Sequence, residues 1–461
     1  MKYSDFLKTK SIRFQNKGID MAGAGLSRSL FDWQSRLVQW SLFKGRSALF
    51  EDCGLGKTIQ QLEWARVVCS HTGGDVLIFA PLAVSLQTKR EGKKFGIAVN
   101  IAKDSESIKP GINITNYEKM DKFDLSVFAG IVLDESSILK SFTGKTTTHL
   151  IEACRETQYK LCCTATPAPN DFTEIGNTAE FLGVMTRPEM LSMFFINDTA
   201  KTGTWRLKGH VGKSKFWEWL SSWSMVIRRP SDIGFDDNGF NLPELNVHRH
   251  ILDFNGKRDT LFVEEATTLT ERREARKESL TDRLKETVKI IENEPDDIWL
   301  MWCNLNIEGE MLKGGVSGAV EIKGADNLAH KERSVVDFGD GKIGRLITKS
   351  KISGFGVNWQ SCHKVIFFGL SDSYEQFYQA IRRCWRFGQD SAVDVHIIIG
   401  EREMAVLRNI ERKEKDAQLM FDQMVEYMRQ SMADELSGLN NSATPYNPKI
   451  EMVLPVFMGA N

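Results

Sequence analysis

The chain has 461 residues, of which 41% are hydrophobic and 26% are charged, and its formal net charge is −1. This length predicts two or three domains with substantial apolar cores. Because no apolar stretch approaches the roughly 20 residues needed to cross a bilayer, the composition excludes a membrane-spanning protein and favours a soluble, cytoplasmic one. The near-zero charge argues neither for nor against a nucleic-acid partner, since a neutral total can hide a basic groove.

The cysteines form no Cys-x-x-Cys pair, and several of them lie within apolar runs. This pattern predicts buried core residues in a reducing compartment, and neither metal ligands nor disulfide partners. The eight positions are Cys53, Cys69, Cys154, Cys162, Cys163, Cys303, Cys362 and Cys384.

Short β-rich runs alternate with helical segments in both halves of the chain, which predicts an α/β fold with two parallel, doubly wound sheets. The predicted strands are Ser47–Phe50, Val76–Ala80, Ile131–Leu133 and Lys160–Cys163, then Ile298–Cys303, Arg345–Thr348, Val365–Phe368 and Val393–Ile399. We predict an N-terminal extension at 1–29, a first lobe with a helical insertion at 30–243, a second lobe at 244–400, and a C-terminal helix and tail at 401–461.

Between the first predicted strand and a predicted helix at Thr58–Ser70, the chain reads Phe-Glu-Asp-Cys-Gly-Leu-Gly-Lys-Thr. We call residues 51–58 the phosphate loop, because glycines there let backbone N–H groups turn inward toward an anion at a helix N-terminus. Lys57 can reach terminal phosphates, and the Thr58 hydroxyl can hold Mg²⁺. The strict pattern has glycine in place of Glu51, and a tight turn without a ligand is the alternative. The predicted phosphate-binding residues are Gly54, Leu55, Gly56, Lys57 and Thr58.

The predicted strand Ile131–Leu133 runs directly into Asp134-Glu135-Ser-Ser. Ligands bind at the carboxyl ends of strands in open α/β sheets. Asp134 can hold Mg²⁺ there, and Glu135 can orient and deprotonate an attacking water. Helix capping is the alternative for such acidic residues, but the upstream phosphate loop favours catalysis.

Far downstream, the run from Gln379 to Gln389 is rich in arginine and is predicted as a helix. Gln379, Arg383 and Arg386 are spaced at i, i+4 and i+7, so they share one helix face. Two guanidinium groups on that face can neutralise the charge of a γ-phosphate across an interlobe cleft. The alternative is an exposed basic helix.

The segment 257–291 is highly charged, with apolar residues at irregular helical spacing. We favour a solvated surface helix, with a protrusion facing DNA or a partner as the alternative. Residues 401–436 form another charged helical stretch.

Taken in order from about Leu30 to Ile399, these motifs resemble superfamily 2 helicases, and within them the Swi/Snf-like double-stranded DNA translocases. The Asp-Glu-Ser-Ser tetrad, the Gln-x-x-x-Arg-x-x-Arg-x-Gly-Gln run and Lys351-Ile-Ser-Gly-Phe-Gly-Val-Asn-Trp carry the resemblance. It implies two RecA-like lobes that bind ATP and Mg²⁺ between them. Ala165 replaces a usual glycine, and Phe368-Gly-Leu replaces a usual Trp-Asn-Pro turn, so the chain resembles a divergent, compact bacterial or phage version.

The resemblance also implies roles for individual residues. Gln34 matches the glutamine that reads adenine, while Gly354, Gly356 and Asn358 match a second-lobe motif that contacts nucleotide and DNA. Gln379, Arg383 and Arg386 match residues of the nucleotide site. We expect DNA contacts in loops that follow strands, where amides, hydroxyls and lysines suit phosphate oxygens. The candidate DNA contacts are Pro81, Gln87, Thr115, Asn116, Lys349 and Ser350.

The expected function is ATP-dependent translocation along double-stranded DNA, with no necessary strand separation. One alternative is a strand-separating helicase acting on DNA or RNA. Another is a catalytically silent scaffold that binds nucleic acid or a partner nuclease, but such a scaffold has no chemical need for the full set of catalytic residues. The expected partners are double-stranded DNA, with single-stranded DNA or RNA as alternatives, and a nuclease or a replication or repair protein. No membrane partner is expected.

Overall fold

Two parallel sheets organise the protein in a computed structural model that describes residues 14, 18–21, 25–81, 84–198, 204–253, 268–353 and 358–437. All eight predicted strands are present, and the strand pairs within both large sheets are parallel. The predicted α/β fold with two doubly wound lobes is therefore confirmed.

The first sheet has seven strands in the order β3-β4-β2-β5-β6-β1-β9. Its strands are β1 (Arg46–Glu51), β2 (Val76–Ala80), β3 (Val99–Ile101), β4 (Ile112–Asn116), β5 (Gly130–Asp134), β6 (Tyr159–Thr164) and β9 (Ser224–Ile227). A separate antiparallel pair consists of β7 (Phe195–Asp198) and β8 (Thr204–Leu207). The helices of this part are α1 (Asp32–Lys44), α2 (Lys57–Thr72), α3 (Ser85–Lys94), α4 (Lys145–Ala153), α5 (Ile175–Leu182), α6 (Arg187–Phe194) and α7 (His210–Ser221).

The second sheet has six strands in the order β10-β15-β14-β11-β13-β12. Its strands are β10 (Leu245–Leu252), β11 (Trp299–Cys303), β12 (Val320–Glu321), β13 (Arg345–Lys349), β14 (Lys364–Phe367) and β15 (Val393–Gly400). The accompanying helices are α8 (Leu269–Glu278), α9 (Leu280–Asn293), α10 (Asn306–Gly315), α11 (Leu328–Gly339), α12 (Ser350–Ser353), α13 (Tyr374–Ile381) and α14 (Met404–Ser437). Short 3₁₀ turns lie at Ser105–Ser107, Tyr117–Lys122, Leu125–Val127, Ser136–Lys140, Phe172–Glu174, Pro230–Ile233 and Glu401–Glu403.

Both sheets bury apolar side chains on both faces, as parallel sheets do. Along β11, Leu300 and Trp302 belong to one core cluster, while Trp299 and Met301 belong to the cluster on the opposite face. The alternation follows from the two-residue repeat of a strand. These near-continuous apolar runs are why the central strands could be predicted from the sequence.

The first sheet also brings two predicted motifs to one edge. Phe50 at the end of β1 is in register with Thr164, and Asp134 at the end of β5 is in register with Cys163. Because parallel strands end at the same edge, the phosphate loop and the Asp134-Glu135 pair both follow this edge.

The charged segment at 257–291 forms two surface helices, α8 and α9, where the structure describes it, and the side chains of Lys285 and Lys289 on α9 are 73% and 72% exposed. Helices α8 and α9 bury the side chains of Arg276, Arg283 and Thr287, together with Ile290 and Ile291. The predicted solvated helix is therefore confirmed for one face only, because on the other face two arginines have buried carboxylate partners. Residues 257–267 lie outside the described part of the chain.

The last helix, α14, belongs to both lobes. Near its start, Val406, Leu407 and Ile410 pack in a core of the second lobe. Near its end, Met424, Met428 and other apolar side chains pack in the core of the first lobe. The tail after 437 lies outside the described residues. Helix α14 is thus a brace between the two lobes.

Ionic and aromatic contacts reinforce the brace on the first lobe. The ammonium of Lys44, which is 3% exposed, lies 2.7 Å from the Glu435 carboxylate. The rings of Trp217 and Tyr427 stack with their centroids 5.6 Å apart. These contacts support the apolar packing between α14 and the first lobe.

Seven of the eight cysteines are buried, and Cys69 is half-buried. All eight are free thiols. Among the helices that the structure describes, none combines the length and the apolarity required to cross a bilayer.

A histidine cluster joins the edge strand β10 to β15. The rings of His248 and His396 stack at 4.7 Å, and His250 Nε2 lies 3.1 Å from His396 Nδ1. Burial and then the neighbouring His248 and His250 lower the pKa of His396 from 6.5 to about 4. Asp394, which accepts a hydrogen bond from His248, opposes this shift.

We expect acid destabilisation from this cluster. In the unfolded chain His396 takes up a proton as the pH falls below 6.5, whereas the folded protein resists protonation down to about pH 4. The free energy of unfolding therefore falls across this window, by up to about 3 kcal/mol at about 1.4 kcal/mol per pKa unit. Urea titrations at pH 7 and pH 4.5 should show a smaller fall for His396→Gln. The exposed-residue control His330→Gln should behave like wild type, and an equal fall in all three proteins would contradict the assignment.

Candidate active site between the two sheets

The phosphate loop has the backbone conformation that its glycines permit. Gly54 and Gly56 have φ values of 91° and 79°, a region that favours glycine. Lys57 is the first residue of α2, and its Nζ donates to the carbonyl oxygens of Glu51 at 2.8 Å and Asp52 at 3.0 Å. The lysine side chain therefore folds back onto the loop, where two backbone carbonyls hold its ammonium.

Glu51 stands where the strict pattern has glycine, and its side chain is fully buried. Its Oε2 accepts a hydrogen bond of 2.8 Å from Gln60 Nε2 of α2. Burial raises the pKa of Glu51 to about 7, although Lys57 and Gln60 act in the opposite direction. The fold thus accommodates a glutamate in place of glycine, because Gln60 of α2 gives the buried carboxyl a hydrogen-bond partner.

Gln34 lies against the phosphate loop. Its Nε2 donates to the Leu55 carbonyl at 2.8 Å, and its Oε1 accepts from the Phe31 N–H at 3.1 Å. A Cβ at Gly56 would lie 2.4 Å from Gln34 Nε2, so only glycine permits this approach. Both ends of the amide are bonded within the first lobe, and recognition of adenine by Gln34 stays a prediction.

Aromatic side chains from three parts of the chain surround this corner of the site. Phe240 stacks on Phe387 with ring centroids 4.8 Å apart, and Phe31 meets the edge of Phe240 at 5.1 Å. Phe31 and Phe387 are 48% and 36% exposed. The cluster offers an open aromatic surface next to Gln34, suitable for a planar base.

The two carboxylates at the end of β5 are held differently. Asp134 Oδ1 accepts from Gln61 Nε2 at 2.8 Å, and the Asp134 carbonyl accepts from the Tyr117 hydroxyl at 2.7 Å. Glu135 Oε2 accepts a longer bond of 3.4 Å from Thr164 Oγ1. Asp134 is thus tied to α2, while Glu135 is directed toward the next strand end.

Glu135 also has φ of 59°, the only positive φ at a non-glycine residue in the described part of the chain. Such a conformation costs about 1–3 kcal/mol and is often found at functional sites. Burial and the neighbouring Asp134 raise the pKa of Glu135 to about 7, while Lys57 and Arg383 oppose the shift. A carboxyl with this pKa is suited to accept a proton near neutral pH.

The arginine run of the second lobe is not the single helix that the spacing predicted. Helix α13 ends at Ile381, and the residues after it form turns. Arg383 Nε nevertheless donates to the Gln379 carbonyl at 2.9 Å. The prediction extended the helix too far because the i, i+4 and i+7 spacing persists beyond its end.

Gln379 and Arg383 connect the second lobe to the carboxylates of the first. Gln379 Nε2 lies 3.5 Å from Glu135 Oε2. Burial raises the pKa of both Asp134 and Glu135, and the charge of Arg383 opposes this rise at each carboxyl. Burial and the adjacent Arg383 lower the pKa of Arg386 to about 10. An anion bound near these guanidinium groups would relieve their mutual repulsion.

Arg382 and Tyr378 contact the phosphate loop directly, and the motif analysis missed both of them. Arg382 pairs with the Asp52 carboxylate at 3.0 Å and donates to the Cys53 carbonyl. The Tyr378 hydroxyl donates to Asp52 Oδ1. The resemblance drew attention to Arg383 and Arg386, whereas an acidic residue within the phosphate loop was the signal for an arginine partner.

A cavity of about 1330 Å³ lies between the lobes. Several predicted nucleic-acid contacts line it, but Thr115, Lys349 and Ser350 are not among its lining residues. Lys349 Nζ donates to Asn306 Oδ1, and Ser350 Oγ donates to Gln376 Oε1 at 3.3 Å. The predicted nucleic-acid contacts that line the cavity are Pro81, Gln87, Asn116 and Asn358, and the predicted base Glu135 lines it as well.

Five of the six candidate DNA contacts do not lie in loops, since Lys349 ends β13 and Ser350 begins α12. Gln87 lies within α3, where its Nε2 donates to Glu91 at 3.0 Å. Thr115 and Asn116 are the last residues of β4, with exposed fractions of 1% and 5%. Placing them in a loop was wrong because β4 itself was missed. Gly354 and Gly356 fall outside the described residues.

Thr58 and Asp134 fit the magnesium ion that the resemblance implies. A hydroxyl and a carboxylate supply the hard oxygen ligands that Mg²⁺ prefers, and nucleotide phosphates and water complete its shell in such sites. The Gln61 bond fixes Asp134 Oδ1. When bound, Mg²⁺ would neutralise phosphate charge, with Thr58 and Asp134 as its protein ligands.

Comparison with known proteins supports the assignment of the second lobe. Residues 282–388 match the family model for the helicase conserved C-terminal domain. Among solved structures, the SWI2/SNF2 ATPase core of Sulfolobus solfataricus in complex with dsDNA is similar at 18% identity and a TM-score of 0.41. The match covers 89% of this chain and 97% of that one. No curated protein matches the sequence.

Proposed function

We propose that this chain, which carries a match to the helicase conserved C-terminal domain, is an ATP hydrolase that translocates along double-stranded DNA. The observation that carries the proposal is the meeting of Gln379 and Glu135, whose side chains lie 3.5 Å apart. This contact joins the arginine run of the second lobe to the strand-end carboxylates of the first. Because hydrolysis then needs residues of both lobes, it is coupled to the movement of one lobe relative to the other.

The residues divide the chemistry among them. Lys57 would leave the loop carbonyls to bind terminal phosphates, and Glu135 would take a proton from the attacking water. Arg383 and Arg386 would stabilise the charge that develops on the transferred phosphoryl group. Gln379 would hold Glu135 in place when the lobes close.

The interlobe cavity supports nucleic-acid binding, because residues that follow strand ends of both lobes line it. Its lining mixes basic side chains such as Lys140 and Lys351 with acidic ones such as Glu118 and Glu332. The charge of the cavity therefore does not select duplex DNA. The preference for duplex rests on the Swi/Snf-like pattern of motifs.

The test is ATP hydrolysis by wild type and Glu135→Gln, measured without nucleic acid and with blunt duplex DNA, single-stranded DNA or RNA. We expect strong stimulation by blunt duplex that Glu135→Gln abolishes and that the control Glu152→Gln, at an exposed position of α4, retains. Displacement of a triplex strand would then demonstrate translocation. Unwinding of a tailed duplex would favour a strand-separating helicase, and no hydrolysis under any condition would leave the scaffold as the function.

The raised pKa of Glu135 predicts the pH dependence of hydrolysis. The base must be unprotonated, so kcat/KM should fall about tenfold per pH unit below a pKa of about 7 and level off above it. Initial rates at limiting ATP between pH 5.5 and 9 measure this profile. A flat profile across pH 7 in an otherwise active protein would exclude Glu135 as a base with this pKa.

A further inference from the structure

Asp52 is bound from two sides. Its backbone carbonyl accepts the hydrogen bond from Lys57 Nζ at 3.0 Å. Its carboxylate contacts the second lobe, because it accepts a hydrogen bond from the Tyr378 hydroxyl and forms an ion pair with Arg382 at 3.0 Å. A single residue of the phosphate loop therefore contacts both the loop lysine and the second lobe.

This contact is largely shielded from water. The side chains of Arg382 and Asp52 are 3% and 20% exposed. The Arg382 guanidinium lies 4.9 Å from the centre of the Trp385 ring and 5.8 Å from that of Tyr378. Burial alone would lower the pKa of Arg382, but Asp52 and Tyr378 raise it above its ordinary value. Loss of one charged partner here leaves the other largely shielded from water without its opposite charge, which costs more than the loss of an exposed pair.

The position of Arg382 gives the contact a consequence for catalysis. Arg382 directly precedes Arg383, and consecutive Cα atoms lie about 3.8 Å apart. Fixing Arg382 on Asp52 and on the Cys53 carbonyl therefore fixes the backbone of Arg383 relative to the phosphate loop. The rate of such reactions depends strongly on the alignment of the reacting groups, because a displacement of about 1 Å can cost about 100-fold in rate.

We propose that Asp52, Tyr378 and Arg382 form an interlobe clasp that positions the arginines of the second lobe on the phosphate loop. The clasp rests on the proposed function of that loop, but its contacts are made by side chains and backbone of this chain alone. Arg382 is a positioning residue that acts through Asp52. Contact with the reacting phosphate is made by Arg383 and Arg386.

The first experiment needs no activity. Hydrogen–deuterium exchange of peptides that cover residues 51–58 is measured in nucleotide-free wild type and Arg382→Gln. We expect exchange at least about tenfold faster in the variant, which corresponds to a loss of about 1.4 kcal/mol of local protection. The matched control is Arg412→Gln, whose exposed pair with Asp416 spans 3.1 Å and should leave this exchange unchanged.

The second experiment separates positioning from binding. Arg382→Gln should lower kcat for ATP hydrolysis by about 10- to 100-fold. The Kd of a non-hydrolysable ATP analogue should stay near the wild-type value, because Lys57 and the loop amides remain. The exchanged pair Asp52→Arg/Arg382→Asp should recover more kcat than either single variant. If Arg382→Gln lowered kcat only by disturbing the local fold, the exchanged pair would not recover kcat.

Unchanged exchange at residues 51–58 in Arg382→Gln, or equal losses of kcat in the single and exchanged variants, would overturn the clasp. If Arg382→Gln fails to fold, Tyr378→Phe decides the matter, since it removes one hydroxyl and keeps the ring. It should speed exchange at residues 51–58, and unchanged exchange would again overturn the clasp. A wild type that hydrolyses no ATP would refute the proposed function alone, because the exchange measurement still tests the clasp.

Discussion

Replacing Arg383 with alanine is expected to lower kcat for ATP hydrolysis by about 10³- to 10⁵-fold, the range found for arginines that stabilise phosphoryl transfer. Arg383 is 4% exposed, and its Nε is held by the Gln379 carbonyl at 2.9 Å. Its charge already acts on both Asp134 and Glu135. Steady-state hydrolysis at saturating ATP and duplex DNA measures the loss.

Two comparisons give this result its meaning. Arg412→Ala removes an exposed arginine of the same half of the chain and should leave kcat unchanged. Arg383→Lys keeps the charge without the planar fork, so its kcat should lie between those of wild type and Arg383→Ala. A loss below tenfold in Arg383→Ala would assign the transition-state charge to another group.

Glu308→Ala is expected to destabilise the second lobe by about 3–5 kcal/mol, since it leaves a buried arginine without its carboxylate. Glu308 and Arg283 are both fully buried, with Glu308 Oε1 3.2 Å from Arg283 Nη1. Glu308 Oε2 also accepts backbone hydrogen bonds of 2.8 Å from Asn304 and Leu305. Urea unfolding followed by circular dichroism measures the change.

The exposed pair of Arg333 and Asp337 supplies the control, because Arg333→Ala should cost less than about 1 kcal/mol. Replacing both buried partners, as in Arg283→Met/Glu308→Met, should be less damaging than Glu308→Ala, since no charge is left unpaired. If the double variant were the less stable of the two, the cost would come from packing and not from the lost ion pair.

The sequence predicted the central strands and the edge of the first sheet that the phosphate loop and the Asp134-Glu135 pair follow, for physical reasons. Runs such as Val76–Ala80 are apolar along their whole length because both faces of the sheet are covered. The strand at Ile112–Asn116 was missed, since Asn113, Thr115 and Asn116 make it look like a loop. Those polar side chains are buried, and only the three-dimensional neighbours of a residue decide burial of this kind.

Within the site, local sequence patterns predicted a loop between β1 and α2, but not the end of a helix or a partner from the other lobe. The acidic side chain of Asp52 indicates a basic partner, but nothing near it in the sequence identifies Arg382 as that partner, because the two are separated by most of the chain. The buried pair of Arg283 and Glu308 was hidden in the same way, since each residue by itself is typical of a solvated surface.

The brace α14 has a consequence for the order of synthesis. Met424, Met428 and Met432 complete the core of the first lobe, although the strands of that lobe end at Ile227. The strands of the first lobe therefore emerge from the ribosome long before the side chains that cover one of its apolar faces have been made. That face remains open to chaperones, or to other nascent chains, until translation reaches the last helix. The lobe that begins to fold first is the one that is finished last.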